Sequence, residues 1–237
     1  MTARLMSTTP APSAAVPSAP LAQLLAEGID QLGLTLDAAQ QDKLLAYVAL
    51  LAKWNKVYNL TAVREPERMI GLHILDSLSL VPHLHEAKSM LDVGSGGGLP
   101  GICVAIALPI LEVVMLDSLQ KKTTFVRQAI GELGLTNASV QCERVEHFQP
   151  ARKFDVVTSR AFAELADFVS GASRLVVSGG RMLAMKGVYP HDEIARIPRG
   201  MQVVEVVTLD VPQIEGQRHL VILEKIDAGF DDNMHQH

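Results

Sequence analysis

The sequence predicts an α/β fold: a mostly parallel seven-stranded sheet with helices on both faces, preceded by an N-terminal helical extension. Three observations point to it. Apolar residues recur at helical spacing from Leu21 to Leu80. After Pro82, short β-rich runs alternate with helical stretches. A cluster of glycines sits at the first strand-to-helix junction.

Taken in order, residues 1–20 hold four prolines and no acidic residue, which reads as a disordered tail. A targeting peptide would carry more Arg on an amphipathic helix. Residues 21–82 form the extension. Leu21, Leu24, Leu25, Ile29 and Leu32 share one helical face, and Gly33 supplies a stop. Leu44, Leu45, Val48, Leu51 and Trp54 mark a second helix. A third is expected from Pro66 to Val81, with Met69, Ile70, His73, Ile74 and Ser77 along one side. Residues 83–226 form the sheet domain. Its strands are expected at 89–93, 112–116, 138–141, 154–159, 181–185, 201–208 and 219–225. Helices beginning near Pro100, Gln120, Val145 and Glu164 separate the first five. The last two strands are joined too tightly for a helical crossover and pair antiparallel. Residues 227–237 are a C-terminal tail.

Composition narrows the function. The 237-residue chain is 48% hydrophobic and 20% charged, ordinary for a globular domain. Its two cysteines argue against a disulfide framework and fit a reducing compartment. The longest apolar run, Leu99 to Leu116, is broken by Pro100, Pro109 and Glu112, so no membrane span is expected. No apolar surface stripe demands a partner, and a monomer is expected. The net charge of −5 sets a condition: a nucleic-acid partner must meet a concentrated basic face. Lys53, Lys56, Arg64 and Arg68 are candidates for it, against the ordinary reading of solvated helix charges.

The strongest local signal is Leu91-Asp92-Val93-Gly94-Ser95-Gly96-Gly97-Gly98-Leu99-Pro100-Gly101. A strand ends, glycines let the backbone approach a ligand, and a helix begins, which suits a nucleoside cofactor at the carboxyl edge of the sheet. Gly96, Gly98 and Gly101 also satisfy the dinucleotide pattern, so NAD is a rival to S-adenosylmethionine. Asp92 favours the latter: it either orients the turn or faces a cationic ligand, and it would repel a pyrophosphate. Asp117 ends the second strand, where an acid accepts ribose hydroxyls in either cofactor; a helix cap is the alternative. Glu143-Arg144-Val145-Glu146 closes the third strand where adenine would lie, with Val145 on the ring and Glu146 near its amine. Alone, Glu146 reads equally as a solvated acid.

Further motifs complete the set. Trp54-Asn55-Lys56-Val57-Tyr58-Asn59-Leu60-Thr61, His73-Ile74-Leu75-Asp76-Ser77 and the glycine turn closely resemble those of the bacterial 16S rRNA (guanine-N7) methyltransferases, the glucose-inhibited division protein B family. Leu116-Asp117-Ser118, Arg144-Val145-Glu146, Ser159-Arg160-Ala161-Phe162, Lys186-Gly187 and Arg218-His219-Leu220 continue the match in order, over roughly Leu21 to Ile226. Parallel strands closing in an antiparallel hairpin are the strand plan of the Rossmann-like class I methyltransferases. The resemblance implies cytoplasmic, S-adenosyl-L-methionine-dependent formation of 7-methylguanosine in the 530 loop of 16S rRNA, on free RNA or the small ribosomal subunit. It implies cofactor contacts at Gly94, Leu99, Val145, Glu146 and Arg160, of which Arg160 has no other signal. Gly97 departs from relatives that often carry Pro there.

Guanine N7 has an in-plane lone pair and no proton, so its methylation needs alignment rather than a base. The sequence agrees by omission. Ser159-Arg160-Ala161-Phe162 replaces the Asn/Asp-Pro-Pro-aromatic stretch frequent in amine methylation, and neither Cys103 nor Cys142 is placed as a carbon-methylating nucleophile. No catalytic side chain is assigned. Lys186, Arg218 and His219 are the candidates for positioning RNA, with a surface lysine and a capped sheet edge as the alternatives. Phe162 either stacks on a base or packs in the core. His73 and Asp76, one turn apart, are too few for a metal site, and a structural hydrogen bond is expected. Two rival functions stay open: an NAD-dependent oxidoreductase, which lacks a visible proton relay here, and a non-catalytic RNA-binding assembly factor.

Overall fold

A computed structural model of the chain describes residues 19–162 and 164–226. The two expected tails lie outside the described residues, except that Ala19 and Pro20 already belong to helix α1 (Ala19–Gln31). Gly33, at φ +67°, turns the chain out of α1, and Leu34 N–H closes back on the Ile29 carbonyl. Helix α2 (Ala38–Tyr58) starts in a reciprocal capping box between Asp37 and Gln40.

The third helix is not the uniform one expected from Pro66 to Val81. It runs as α3 (Pro66–Met69), a π-helical segment (Ile70–Leu75) and α4 (Asp76–Leu78), with a separate 3₁₀ turn at Val81–His83. The apolar stripe still points inward: Met69, Ile70, His73, Ile74 and Ser77 are all buried. Periodicity reports that stripe and is blind to the wider winding.

The strands are β1 (Ser89–Val93), β2 (Glu112–Asp117), β3 (Ala138–Cys142), β4 (Phe154–Ser159), β5 (Val176–Lys186), β6 (Met201–Leu209) and β7 (Arg218–Lys225). They form one seven-stranded sheet in the order β3-β2-β1-β4-β5-β7-β6. The pairs among β1 to β5 are parallel, and β7 runs antiparallel to both β5 and β6. Three expected crossover helices form: α5 (Gly101–Ala107), α6 (Gln120–Glu132) and α7 (Leu165–Ala172). The one expected near Val145 does not. That stretch makes only a turn on the Arg144 carbonyl, and the carbonyls of Val145, Glu146 and Phe148 accept hydrogen bonds from Arg174 at 2.6, 3.2 and 2.8 Å. One guanidinium replaces the helical ladder and holds the loop in an irregular shape.

The two faces of the sheet bury separate cores, as alternation in β1 and β2 requires. Met90, Val113 and Met115 join α1, α2, the π segment, α5 and α6 on one face. Leu91, Val93, Val114 and Leu116 join α7 and Phe148 on the other. The N-terminal helices therefore share a core with the sheet. Tyr47 of α2 makes the connection polar as well: it is fully buried, stacks near Phe125 of α6, and donates its hydroxyl to the Gly97 carbonyl at 2.6 Å. Tyr47→Phe leaves that carbonyl buried without a donor, and a loss of about 1–3 kcal/mol is expected. The urea midpoint measures it; an unchanged midpoint would mean that water or a neighbour replaces the bond.

Candidate functional site

The site follows the carboxyl ends of β1, β2, β4 and β5, where open α/β sheets bind ligands. The glycine turn after β1 is tied to β2: Gly94 and Ser95 N–H both donate to the Leu116 carbonyl, at 2.8 and 3.1 Å. Gly94 has φ +72°, and a Cβ there would lie 2.8 Å from the Cβ of Ala161. The chain leaving β4 passes so close to the turn that only glycine fits.

The Asp117 carboxylate accepts from Gly96 N–H and from Leu119 N–H, both at 2.9 Å. It thus anchors the turn and the chain entering α6, whose N-cap, Leu119, itself makes no side-chain cap. Asp117 still lines the cleft, with Lys122 3.9 Å away. Asp92, fully buried, accepts from Gly101 N–H at the start of α5 at 2.9 Å. Of its two readings, this geometry is the one that orients the turn. Burial pushes its carboxyl up to about 7. Its other oxygen and the Ser95 hydroxyl have no protein partner.

Three depressions run together along this edge. The first, about 220 Å³, lies between Gly94, Asp117, Ser118 and the 143–146 loop, with Phe162 closing it. The second, about 180 Å³, is bounded by Thr61, the 94–97 turn, Leu99 and Arg160, and shares Gly94 and Ala161 with the first. The third, about 360 Å³, is walled by His73, Asp76, Arg160, Lys186, Arg218 and His219, and shares His73 and Arg160 with the second. Gly94, Gly96, Leu99, Asp117, Val145 and Glu146 thus come together along the first two. Lys186, Arg218 and His219 meet in the third, and Arg160 stands on the wall between. Phe162 packs 5.3 Å from Phe168, as the core reading expects, and also lines the cleft.

The walls of the third depression are ionic. Arg160 donates to Asp76 at 2.9 Å and to the Leu72 carbonyl at 3.3 Å; Arg218 Nε lies 3.3 Å from the other Asp76 oxygen. His73 donates from Nδ1 to the Leu72 carbonyl at 2.9 Å and accepts at Nε2 from Thr61 at 2.7 Å. Burial, then Arg160, lowers its pKa, so it is neutral with both nitrogens occupied. The expected structural hydrogen bond exists, but to Thr61 and not to Asp76.

Two of the alternatives weighed for Lys186, Arg218 and His219 fall. Lys186 is not a surface lysine: its side chain is 11% exposed and its ammonium donates to Glu193 at 2.7 Å and to the Phe162 carbonyl at 3.3 Å. Arg218 and His219 do not cap a sheet edge, because β5 and β6 flank β7 on both sides. His219 is 3% exposed beneath the ring of Tyr189, too buried to reach RNA directly. Cys103 is buried in α5 with its thiol pushed up to about 12, and Cys142 lies exposed at the end of β3; neither lines the groove. Lys53, Lys56, Arg64 and Arg68 are all exposed, with Arg68 3.8 Å from Glu65.

Sequence reasoning missed the residues that hold the walls. Asn55 donates to the Val63 carbonyl and accepts from Thr61 N–H, fixing the loop that carries Thr61. It lies inside the Trp54–Thr61 motif, which was its available signal. Arg174, which shapes the 143–148 loop, had none.

Comparison with known proteins agrees with this geometry. Residues 40–221 match the family model GidB, described as rRNA small subunit methyltransferase G. The chain is 55% identical over 197 residues to the ribosomal RNA small subunit methyltransferase G of Chromobacterium violaceum, spanning 83% of this chain and 94% of that one. It is 54% identical to the protein of the same name from Neisseria meningitidis serogroup A, over 85% and 97% of the two chains. Similar solved structures include the N-methyltransferase NodS of Bradyrhizobium japonicum in complex with S-adenosyl-L-homocysteine, with a TM-score of 0.52 at 12% identity over 74% of this chain and 100% of that one. The O-methyltransferase TomG of Streptomyces achromogenes in complex with SAM gives 0.54 at 15% identity, over 84% and 96%. These likenesses show the Rossmann-like class I methyltransferase fold.

Asp92 makes a testable contribution to stability. Its folded pKa of about 7 lies above the ordinary 3.8, so between those values the folded chain holds a proton that the unfolded chain has released. Stability from this group is therefore full below about 4 and declines as pH rises to about 7. Asp92→Asn keeps an acceptor for Gly101 and removes the titration. Urea midpoints of the wild type should fall relative to this variant between pH 5 and 7, and a constant difference would show that Asp92 is ionised throughout.

Proposed function

The chain belongs to the GidB family of small-subunit rRNA methyltransferases, and from that premise we propose that it methylates N7 of a guanine in the 530 loop of 16S rRNA, using S-adenosyl-L-methionine. The observation that carries this reading is the single groove, whose cofactor-sized cleft opens past Arg160 into a depression walled by Arg160, Lys186 and Arg218. The oxidoreductase alternative falls with the family; the assembly-factor alternative is an outcome of the test below.

The residues present fit this cofactor. The tight glycine turn with its unpartnered Ser95 hydroxyl would hold the amino-acid end, and Asp117, with spare lone pairs, would accept ribose hydroxyls. Val145 would pack on adenine, with Glu146 beside its amine and Arg174 fixing the loop behind both. Gly94, Gly96 and Leu99 bring backbone to the ligand, and Arg160 borders the side facing the substrate. When bound, S-adenosylmethionine supplies a methyl group on a positively charged sulfur that leaves as a neutral thioether.

What the chain itself must do is positional. Of the carboxylate and two imidazoles that wall the third depression, His73 has both nitrogens committed, Asp76 lies between two arginines, and His219 is 3% exposed with its Nδ1 unpartnered. Two of the three are thus tied up in the walls, which favours an acceptor that, like N7, has no proton to remove. Arg160 and Arg218, held apart by the Asp76 carboxylate, offer donors to a guanine O6 or a phosphate. Working in the cytoplasm on 16S rRNA or the small subunit follows from this reading.

The deciding experiment supplies labelled S-adenosylmethionine with 30S subunits, or naked 16S rRNA, lacking the modification. Digestion to nucleosides should yield labelled 7-methylguanosine. Label on another nucleoside, or none despite cofactor binding, would overturn the assignment, the latter in favour of an assembly role. Two variants test the division of the groove. Asp117→Ala should weaken cofactor binding by roughly tenfold, the effect of losing a charged hydrogen bond of about 1.4 kcal/mol. Lys186→Ala, which leaves Glu193 unpaired beside the third depression, should depress RNA methylation and spare cofactor affinity. Equal cofactor affinity in the two would refute that division.

A further inference from the structure

One exposed aromatic stands beside the groove and takes no part in the proposed transfer. We propose that Tyr189, with Val188 next to it, is a stacking platform for an RNA base adjacent to the one being methylated; this rests on RNA being the substrate. Both residues lie in the short loop between β5 and helix α8 (His191–Ile194). Val188 is 79% exposed and Tyr189 39% exposed, in a chain with only 4% aromatic residues.

The ring is mounted rather than loose. It meets His219 edge-on at 5.5 Å and lies 4.2 Å from the ring of His191. His219 is itself buried in β7, between β5 and β6, and Pro190 is buried directly after the tyrosine. A pre-positioned ring loses little freedom when a base settles on it. This also gives buried His219 a role, as a support and not as an RNA contact.

Position and charge select the occupant. Lys186, Gly187, Arg218 and His219 wall the third depression, whereas Val188 and Tyr189 do not and stand outside its rim. A base on Tyr189 is therefore a neighbour of the base inside. Arg218, its side chain 26% exposed, supplies positive charge at the rim for an RNA backbone. Exposed Asp192, close to Tyr189 in sequence, disfavours a phosphate at the ring itself, so the contact there is through the face of a base. Stacking of this kind tolerates any base.

The test separates this idea from the proposed function. Tyr189→Ala should raise KM for 30S subunits or 16S rRNA roughly tenfold, within the range for losing one stacked base. Its kcat at saturating RNA, cofactor affinity and melting temperature should match the wild type, and Tyr189→Phe should restore KM. In parallel, filter retention of a short single-stranded RNA should weaken in Tyr189→Ala and recover in Tyr189→Phe. An unmoved KM and unmoved retention, or a Phe variant as poor as the Ala variant, would overturn the platform. If the wild type makes no 7-methylguanosine, the proposed function fails, while RNA retention by the two variants still decides the platform.

Discussion

The bond from the Tyr47 hydroxyl to the Gly97 carbonyl, 2.6 Å long and fully buried, holds the glycine turn against the N-terminal helices. A loop with four glycines within five residues has little conformational preference of its own and would lose much entropy on ordering. Its shape is imposed from outside. The Leu116 carbonyl grips Gly94 and Ser95, Asp117 grips Gly96, and Asp92 fixes the helix that follows at Gly101. Tyr47 supplies the remaining side. The N-terminal helices are therefore part of the site's construction, and this is the physical reason they share a core with the sheet.

The same groove sorts charge along its length. The first depression has acids on its walls, Asp117, Glu143 and Glu146, with Arg144 among them and Lys122 3.9 Å from Asp117. The third has Arg160, Lys186 and Arg218 against Asp76, shared by the two arginines, and Glu193, which pairs with Lys186. An acidic chain can in this way offer hydroxyl acceptors at one end and attract a polyanion at the other, since local potential rather than net charge governs the encounter. The lowered pKa of His73 belongs to the same arrangement: beside Arg160 and out of water, it contributes hydrogen bonds without adding charge.

Much of this was legible in the sequence because strands report themselves locally. β1 and β4 were expected at their observed bounds and β2, β3, β6 and β7 within one residue, since their turns and apolar runs lie within the strand itself. β5, by contrast, begins at Val176, five residues before its expected start. The glycine turn and Asp117 were legible for the same reason. What failed was long-range. The helix expected near Val145 lost to Arg174, some thirty residues away, which satisfies its carbonyls from across the loop. The π winding at Ile70–Leu75 leaves the apolar stripe unchanged and so has no signature in periodicity. Lys186 and His219 read as candidates to meet RNA, whereas Glu193 pairs with the one and Tyr189 packs edge-on against the other. Burial of a polar side chain depends on partners that a local pattern cannot supply.

The N7 methylation proposed above needs no proton transfer and so places its whole demand on alignment, which is only as good as the walls that provide it. Here those walls come from distant segments: Thr61 after α2, Asp76 at the start of α4, Arg160 after β4, and Arg218 at the start of β7. Asp76 joins three of them, because both arginines converge on its one carboxylate. Asn55 fixes the fourth by clamping Thr61 and Val63. Neither residue needs to touch a ligand to govern the rate. In such a site the distinction between a residue that stabilises the fold and one that serves the reaction narrows, since a small shift of any wall moves the acceptor off the line of attack.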